Sequence, residues 1–223
     1  MPSVSQKPAP SVRVADINAW RHPAWDIAYL FPDQGQWSEA DYLELDGGCL
    51  IEFTDGNIEV LPIPTPTHQR IVFWLQAQLY QFVRSRGLGE VVAAPMPVRI
   101  GSGKFREPDL AFLSVDHADW EADQCWEGAD LVVEIVSESD PKRDLVVKRT
   151  EYARAGIAEY WIIQPRESVV SVLKLSGRSY QERRFTLGEI ATSQRLAGFE
   201  VAVSELFAAG KQYRPRRKNG KKS

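Results

Sequence analysis

The chain has 223 residues, 43% of them hydrophobic and 26% charged, with 7 Trp; it is long enough to bury a core without a disulfide or metal staple, and the composition excludes a fibrous or disordered class. Its two cysteines, Cys49 and Cys125, follow no CxxC or Cys/His spacing, so neither a zinc site nor a disulfide framework is expected and a reducing cytoplasm is the simplest setting. The net charge of −3 conceals an asymmetry, because KQYRPRRKNGKKS from Lys211 holds seven Lys or Arg and no acid, leaving 20 basic against 30 acidic residues in the body.

No stretch approaches the roughly 18 apolar residues of a membrane span, and the N-terminus lacks a signal-peptide core, so the chain is expected to be soluble and unexported. Residues 1–24 mix Pro, Ser and Ala without periodicity and are expected to form a flexible arm, with Trp20 and Trp25 able to dock it; residues 25–210 are expected to form one domain and residues 211–223 a disordered basic tail. Ser38 followed by Asp41 predicts a capped short helix through Tyr42 and Leu45, ended by Gly47 and Gly48. CLIEFT and NIEVLP flank Asp55-Gly56, a pair suited to a two-residue hairpin turn with positive φ at both positions. HQRIVFWLQAQLYQFVRSRG then places Ile71, Leu75, Leu79 and Phe82 at helical spacing and closes at Gly87.

EVVAAPMPVRI and KFREPDLAFL are predicted as two strands joined by Gly101-Ser102-Gly103. DLVVEIVS follows as a central strand. Asp140-Pro141 opens a second helix that Gly156 closes, EYWIIQP is the next strand, and SVVSVLKL, SYQERRFTL and AVSELF suggest a hairpin and a short terminal helix. The order implies an α/β (α+β) fold, a mixed central β-sheet flanked by helices.

Within DLVVEIVS the strand period puts Leu131, Val133 and Ile135 on one face and Val132, Glu134 and Val136 on the other. Both faces look buried, so Glu134 must be protonated, paired with a cation or held by a metal. Asp109, just after Pro108, can converge with Glu134 if the two strands are neighbours, and two such acids suit a hard cation such as magnesium. Asp144 and Lys148 stand at i and i+4 and share a helix face with Tyr152; alone they would be a surface ion pair, but beside two buried acids the lysine can stabilise charge on a phosphate. Ser137 has no nucleophile-elbow context, and Gly101-Ser102-Gly103-Lys104 lacks the phosphate-loop spacing.

The run EPDLAFL, then DLVVEIVSESDPKRDLVVKRTEYARAGIAEYWIIQP, preceded by WSEADYLEL, LIEFTDGNIEVLP and PTPTHQRIV, resembles the Uma-type restriction-endonuclease family of the PD-(D/E)XK nuclease superfamily. The resemblance covers roughly Trp37 to Pro165. It implies a restriction-endonuclease-like fold, a divalent metal, normally magnesium with manganese as a substitute, and hydrolysis of DNA phosphodiesters. Residue by residue, Asp109 matches the aspartate of the PD element and Glu134 the second acid. The superfamily's usual lysine would fall at Val136; in the Uma-type pattern it sits on the following helix, where Lys148 stands. Glu52 matches an acid before the hairpin turn and is a third candidate metal ligand, and His68 and Gln69 match a His-Gln pair expected to contact substrate. Gln164 departs from the family's more frequent Asp.

The reading that follows is a metal-dependent DNA endonuclease with Asp109, Glu134 and Glu52 as metal ligands and Lys148 positioning or activating water. Its alternatives are a nuclease-fold binding or regulatory module without activity, favoured by the acidic body, and a nuclease acting on RNA. A homodimer is expected by analogy with other nucleases of the fold.

Overall fold

The computed structural model of the protein describes residues 31–45 and 50–211. The N-terminal arm with Trp20 and Trp25, Gly47 to Cys49, and all but the first residue of the basic tail lie outside that range. The first helix, α1 (Glu39–Leu43), starts from a complete capping box in which Ser38 and Asp41 satisfy each other's backbone N–H groups. β1 (Ile51–Thr54) and β2 (Asn57–Val60) form the expected hairpin. Its turn residues Asp55 and Gly56 have φ of 45° and 81°, and a Cβ on Gly56 would stand 2.6 Å from the Gly35 carbonyl oxygen, so glycine is required there both by conformation and by space. α2 (Pro66–Arg86) begins at Thr65, whose hydroxyl accepts the His68 N–H, and ends at left-handed Gly87.

The two long strands expected next are in fact four. β3 (Gly89–Ala93) and β6 (Leu110–Ser114) pair in one sheet, whereas β4 (Val98–Gly101) and β5 (Lys104–Arg106) pair in another. The breaks fall at Pro95, Pro97 and Pro108, which have no N–H to give a ladder. The hairpin therefore crosses from one sheet to the other, and Glu107 and Asp109 lie in the crossing segment between β5 and β6.

β7 (Leu131–Ile135) is a central strand, as expected, of a six-stranded sheet ordered β10-β9-β8-β7-β6-β3; β8 (Glu159–Gln164), β9 (Val169–Ser176) and β10 (Ser179–Phe185) complete it. β7 and β8 run parallel, joined by a crossover helix that is π-wound over Arg143–Lys148 and α-helical as α3 over Arg149–Ala155; the other pairs in this sheet are antiparallel. The second sheet has the order β2-β1-β5-β4, and β11 (Ile190–Thr192) and β12 (Glu200–Ala202) precede α4 (Val203–Ala209) as a two-stranded ribbon.

Leu131, Val133 and Ile135 pack with Ile71, Leu75 and Leu79 of α2, while Val132 packs with Tyr152, Tyr160 and Trp126 on the opposite face. The period-two reading of β7 is thus realised, and the fold is the mixed sheet flanked by helices that the sequence implied. No helix among the described residues is long and apolar enough to cross a membrane.

Candidate active site

Glu134 occupies the last-but-one position of β7, on the face covered by the crossover helix. It is buried. Its Oε1 receives the Lys148 ammonium at 2.7 Å and the Tyr152 hydroxyl at 2.7 Å. Lys148 and Tyr152 lie one turn apart, so a single helix face delivers both donors. Lys148 is only 2% exposed and also reaches Glu52 Oε1 at 3.0 Å and Asp144 Oδ1 at 3.7 Å.

Burial alone would discharge this lysine, but Glu134, Glu52 and Asp144 outweigh it and raise its pKa, so it remains an ammonium. The carboxyls divide into two kinds. Glu52 is kept below the usual carboxylate range despite its burial, because Lys148, Arg106 and Arg143 surround it. Burial pushes Glu134 up to about 8 against the pull of Lys148, with Asp144, Asp109 and Glu52 adding to the rise. Asp144 is pushed up to about 6, again by burial first and then, against Lys148, by Asp109 and Glu52.

Asp109 sits just before β6, opposite the end of β7. Its Oδ2 accepts the Ile135 N–H at 2.7 Å and lies 3.1 Å from His68 Nε2. That contact raises the His68 pKa over the opposing effect of burial, and His68 Nδ1 is buried without a partner among the described residues.

Asp109, Glu134, Lys148 and His68 line one cleft of about 640 Å³, a volume usual for a ligand site. Sequence reasoning brought all four to it. Gln69 does not line this cleft: it lines a second cavity of about 390 Å³ that shares Leu50, Pro64 and Asp109 with the first. Glu52 also stands apart. It is 1% exposed and lies behind the cleft, with Lys148 on one oxygen and Arg143 on the other, so the oxygens assigned to a metal are spent on cations. Asp144, unlike Glu52, lines the cleft.

Two further cleft residues had no signal of their own in the sequence. Glu107, pushed up to about 7 by burial, accepts the Ile51 N–H at 3.0 Å. Arg143 bridges Glu52 and Glu59 from the first turn of the crossover helix. Behind them Arg106 pairs with Glu151 at 2.9 Å and contacts Glu52 at 3.4 Å. Their partners are distant in sequence, so local patterns could not reveal them; the only hint was their adjacency to Pro108-Asp109 and to Asp144.

No three His, Cys, Asp or Glu side chains form a ready cage for an ion among the described residues. The donor chemistry of Asp109, Glu134 and Asp144 nevertheless fits a hard divalent cation. All are oxygen donors at one cleft, Glu134 Oε2 carries no hydrogen bond among the described residues, and burial first, then the neighbouring carboxyls, raise the pKa of Glu134 and Asp144 against the pull of Lys148, a rise that a bound cation would offset.

Residues 39–204 match a family model, Uma2, described as "Putative restriction endonuclease". Among solved structures, a "putative nuclease belonging to DUF820" from Anabaena variabilis ATCC 29413 superposes with a TM-score of 0.65 at 16% identity, covering 77% of this chain and 98% of its own. No curated protein matches. The structural likeness carries the fold, and the family match spans well over half of the sequence, including every residue of the cleft. The chain belongs to the Uma2 family.

Proposed function

We propose that the cleft hydrolyses phosphodiester bonds in nucleic acid, DNA in the first instance, with magnesium or manganese held by Asp109 and Glu134 and supported by Asp144. The observation that supports this most strongly is the arrival of these carboxyls and Lys148 at one cleft from three separate elements. When bound, the metal would offset charge on the phosphate and acidify a water. Lys148 and Tyr152 hold Glu134 through a single oxygen. Because its pKa is raised, Lys148 serves as a fixed positive charge facing the phosphate and orienting water, not as the base that takes the water's proton. Glu52 acts through Lys148 and Arg143, fixing both from behind. The cytoplasmic location and the pairing of two copies belong to the same proposal.

Incubation of supercoiled plasmid with the protein and Mg²⁺ or Mn²⁺ tests it. Nicking should fall by ~100-fold or more in Asp109→Ala and in Glu134→Ala. Nicking unchanged in both variants removes these residues as catalysts. A labelled RNA run in parallel separates the two nucleic acids, and absence of cutting together with absence of Mn²⁺ binding favours the non-catalytic module.

A further inference from the structure

The second cavity shares Asp109, Leu50 and Pro64 with the cleft, and Lys148 does not line it. α2 lines it with Gln69, Phe73 and Gln76; Ala94 and Pro95 line it as well, and Asp109 lines both this space and the cleft. The three α2 positions are i, i+4 and i+7, one helix face. Phe73 is 75% exposed, which for a phenylalanine in the interior third of a long amphipathic helix leaves an aromatic face with nothing packed over it.

We infer that this cavity receives one unstacked nucleobase from the strand whose phosphate lies in the cleft, which makes unpaired or single-stranded nucleic acid the substrate class. The inference rests on the nucleic-acid reading above and narrows it. The chemistry of the wall is that of base recognition: an aromatic face offers stacking to any base, and a glutamine amide offers a donor and an acceptor side by side to a base edge. Its volume, about 390 Å³, is in the range of small-ligand sites. Asp109 lines both spaces, so a phosphate on one side of it and the adjoining base on the other belong to one nucleotide step. A base in a continuous duplex is stacked and paired and must leave the helix to enter such a space. The acidic body points the same way, since the sequence outside the tail carries 20 basic against 30 acidic residues and offers little to a long duplex backbone.

The test uses the full chain with Glu134→Gln to prevent cutting, Mg²⁺ present, and fluorescence anisotropy of a labelled 12-nucleotide single strand and of the same sequence as duplex. Single strand should bind more tightly than duplex. Adding Phe73→Ala should weaken single-strand binding by about 5- to 100-fold, the range of a lost stacking platform, with duplex binding little changed; Phe73→Trp should restore it. Phe73 is exposed, so circular dichroism should be unchanged by either substitution. Duplex binding tighter than single strand, Phe73→Ala without effect, or binding of neither form overturns the assignment. So does a dimer seen by sedimentation that Phe73→Ala abolishes while nucleic-acid binding stays intact. The two readings fail separately: plasmid nicking that depends on Glu134 but is indifferent to Phe73 on every substrate rejects the base cavity alone, whereas Phe73-dependent strand binding by a protein that never cuts rejects the hydrolytic reading alone.

Discussion

At the scale of the residue, the protonation state of Glu134 would govern uptake of the proposed metal. Its carboxyl is pushed up to about 8 by burial and by Asp144, Asp109 and Glu52, with Lys148 opposing. The folded protein therefore holds a proton there between the ordinary glutamate pKa of about 4.5 and pH 8, where the unfolded chain does not. Stability accordingly falls as pH rises through that interval. On the proposed reading a divalent cation held by Glu134 would displace the same proton, so its apparent affinity should rise with pH, by up to about tenfold per unit between pH 6 and 8, and level off above. Isothermal titration with Mn²⁺ at several pH values and in two buffers of different ionisation enthalpy should show the slope and the released proton. Glu134→Gln should flatten both; a pH-independent affinity in the unsubstituted protein would contradict this account. Glu134 was legible in the sequence because an acid in a β-branched run violates the strand pattern. Glu107 and Arg143 were not, because their surroundings are polar and nothing local marks them as buried or cleft-facing.

At the scale of the element, two departures from the expected secondary structure help to build the site. The crossover helix keeps the i,i+4 contact between Asp144 and Lys148, yet it is π-wound over Arg143–Lys148, a winding that recurs at functional sites. Exposed Val146 and Val147 lie within it and give no periodic signal, so the apolar pattern cannot distinguish a π from an α turn there. The bent β3–β6 hairpin is the second departure. Its prolines were visible in the sequence, but the exchange of strands between two sheets depends on β1 being available to pair with β5, which is a long-range fact. Entry into that hairpin depends on Gly89. Its φ is 146°, and a Cβ there would lie 1.9 Å from the Leu113 carbonyl oxygen in the partner strand, so no flexible side chain could yield. Gly89→Ala should cost about 2–4 kcal/mol and lower the thermal midpoint by roughly 5–15 °C. A differential scan showing an unshifted midpoint would mean that β3 pairs with β6 less closely than described.

At the scale of the molecule, the main sheet separates the candidate cleft from fastening. The cleft lies at the end of β7 that carries Glu134, while the residue before its other end, Asp130, anchors the chain. Asp130 accepts the Ser114 N–H at 2.8 Å and the Arg195 guanidinium at 2.9 Å, and lies 3.0 Å from His117 Nδ1. Next to it on β8, Glu159 accepts the Trp161 indole N–H, the Ser193 hydroxyl and the Gln194 and Arg195 N–H groups. Together these carboxylates tie the segment between β11 and β12 to the sheet. The sequence could not show this, because Asp130 and Glu159 read as strand-flanking acids until residues about 35 to 65 positions away fold onto them. Burial opposes the charge on Asp130, but the Ser114 N–H, His117 and Arg195 outweigh it and hold its pKa below the usual range. Its contribution to stability is then present above the unfolded aspartate pKa of about 3.9 and is lost as pH falls through the lower folded value. Asp130→Asn should destabilise the protein by about 1–3 kcal/mol at pH 7, measured by urea unfolding, with the difference narrowing below pH 4. Because the cleft lies at the other end of β7, nicking per folded molecule should remain that of the unsubstituted protein; a loss of nicking at full folding would show that the fastened end and the cleft act as one unit.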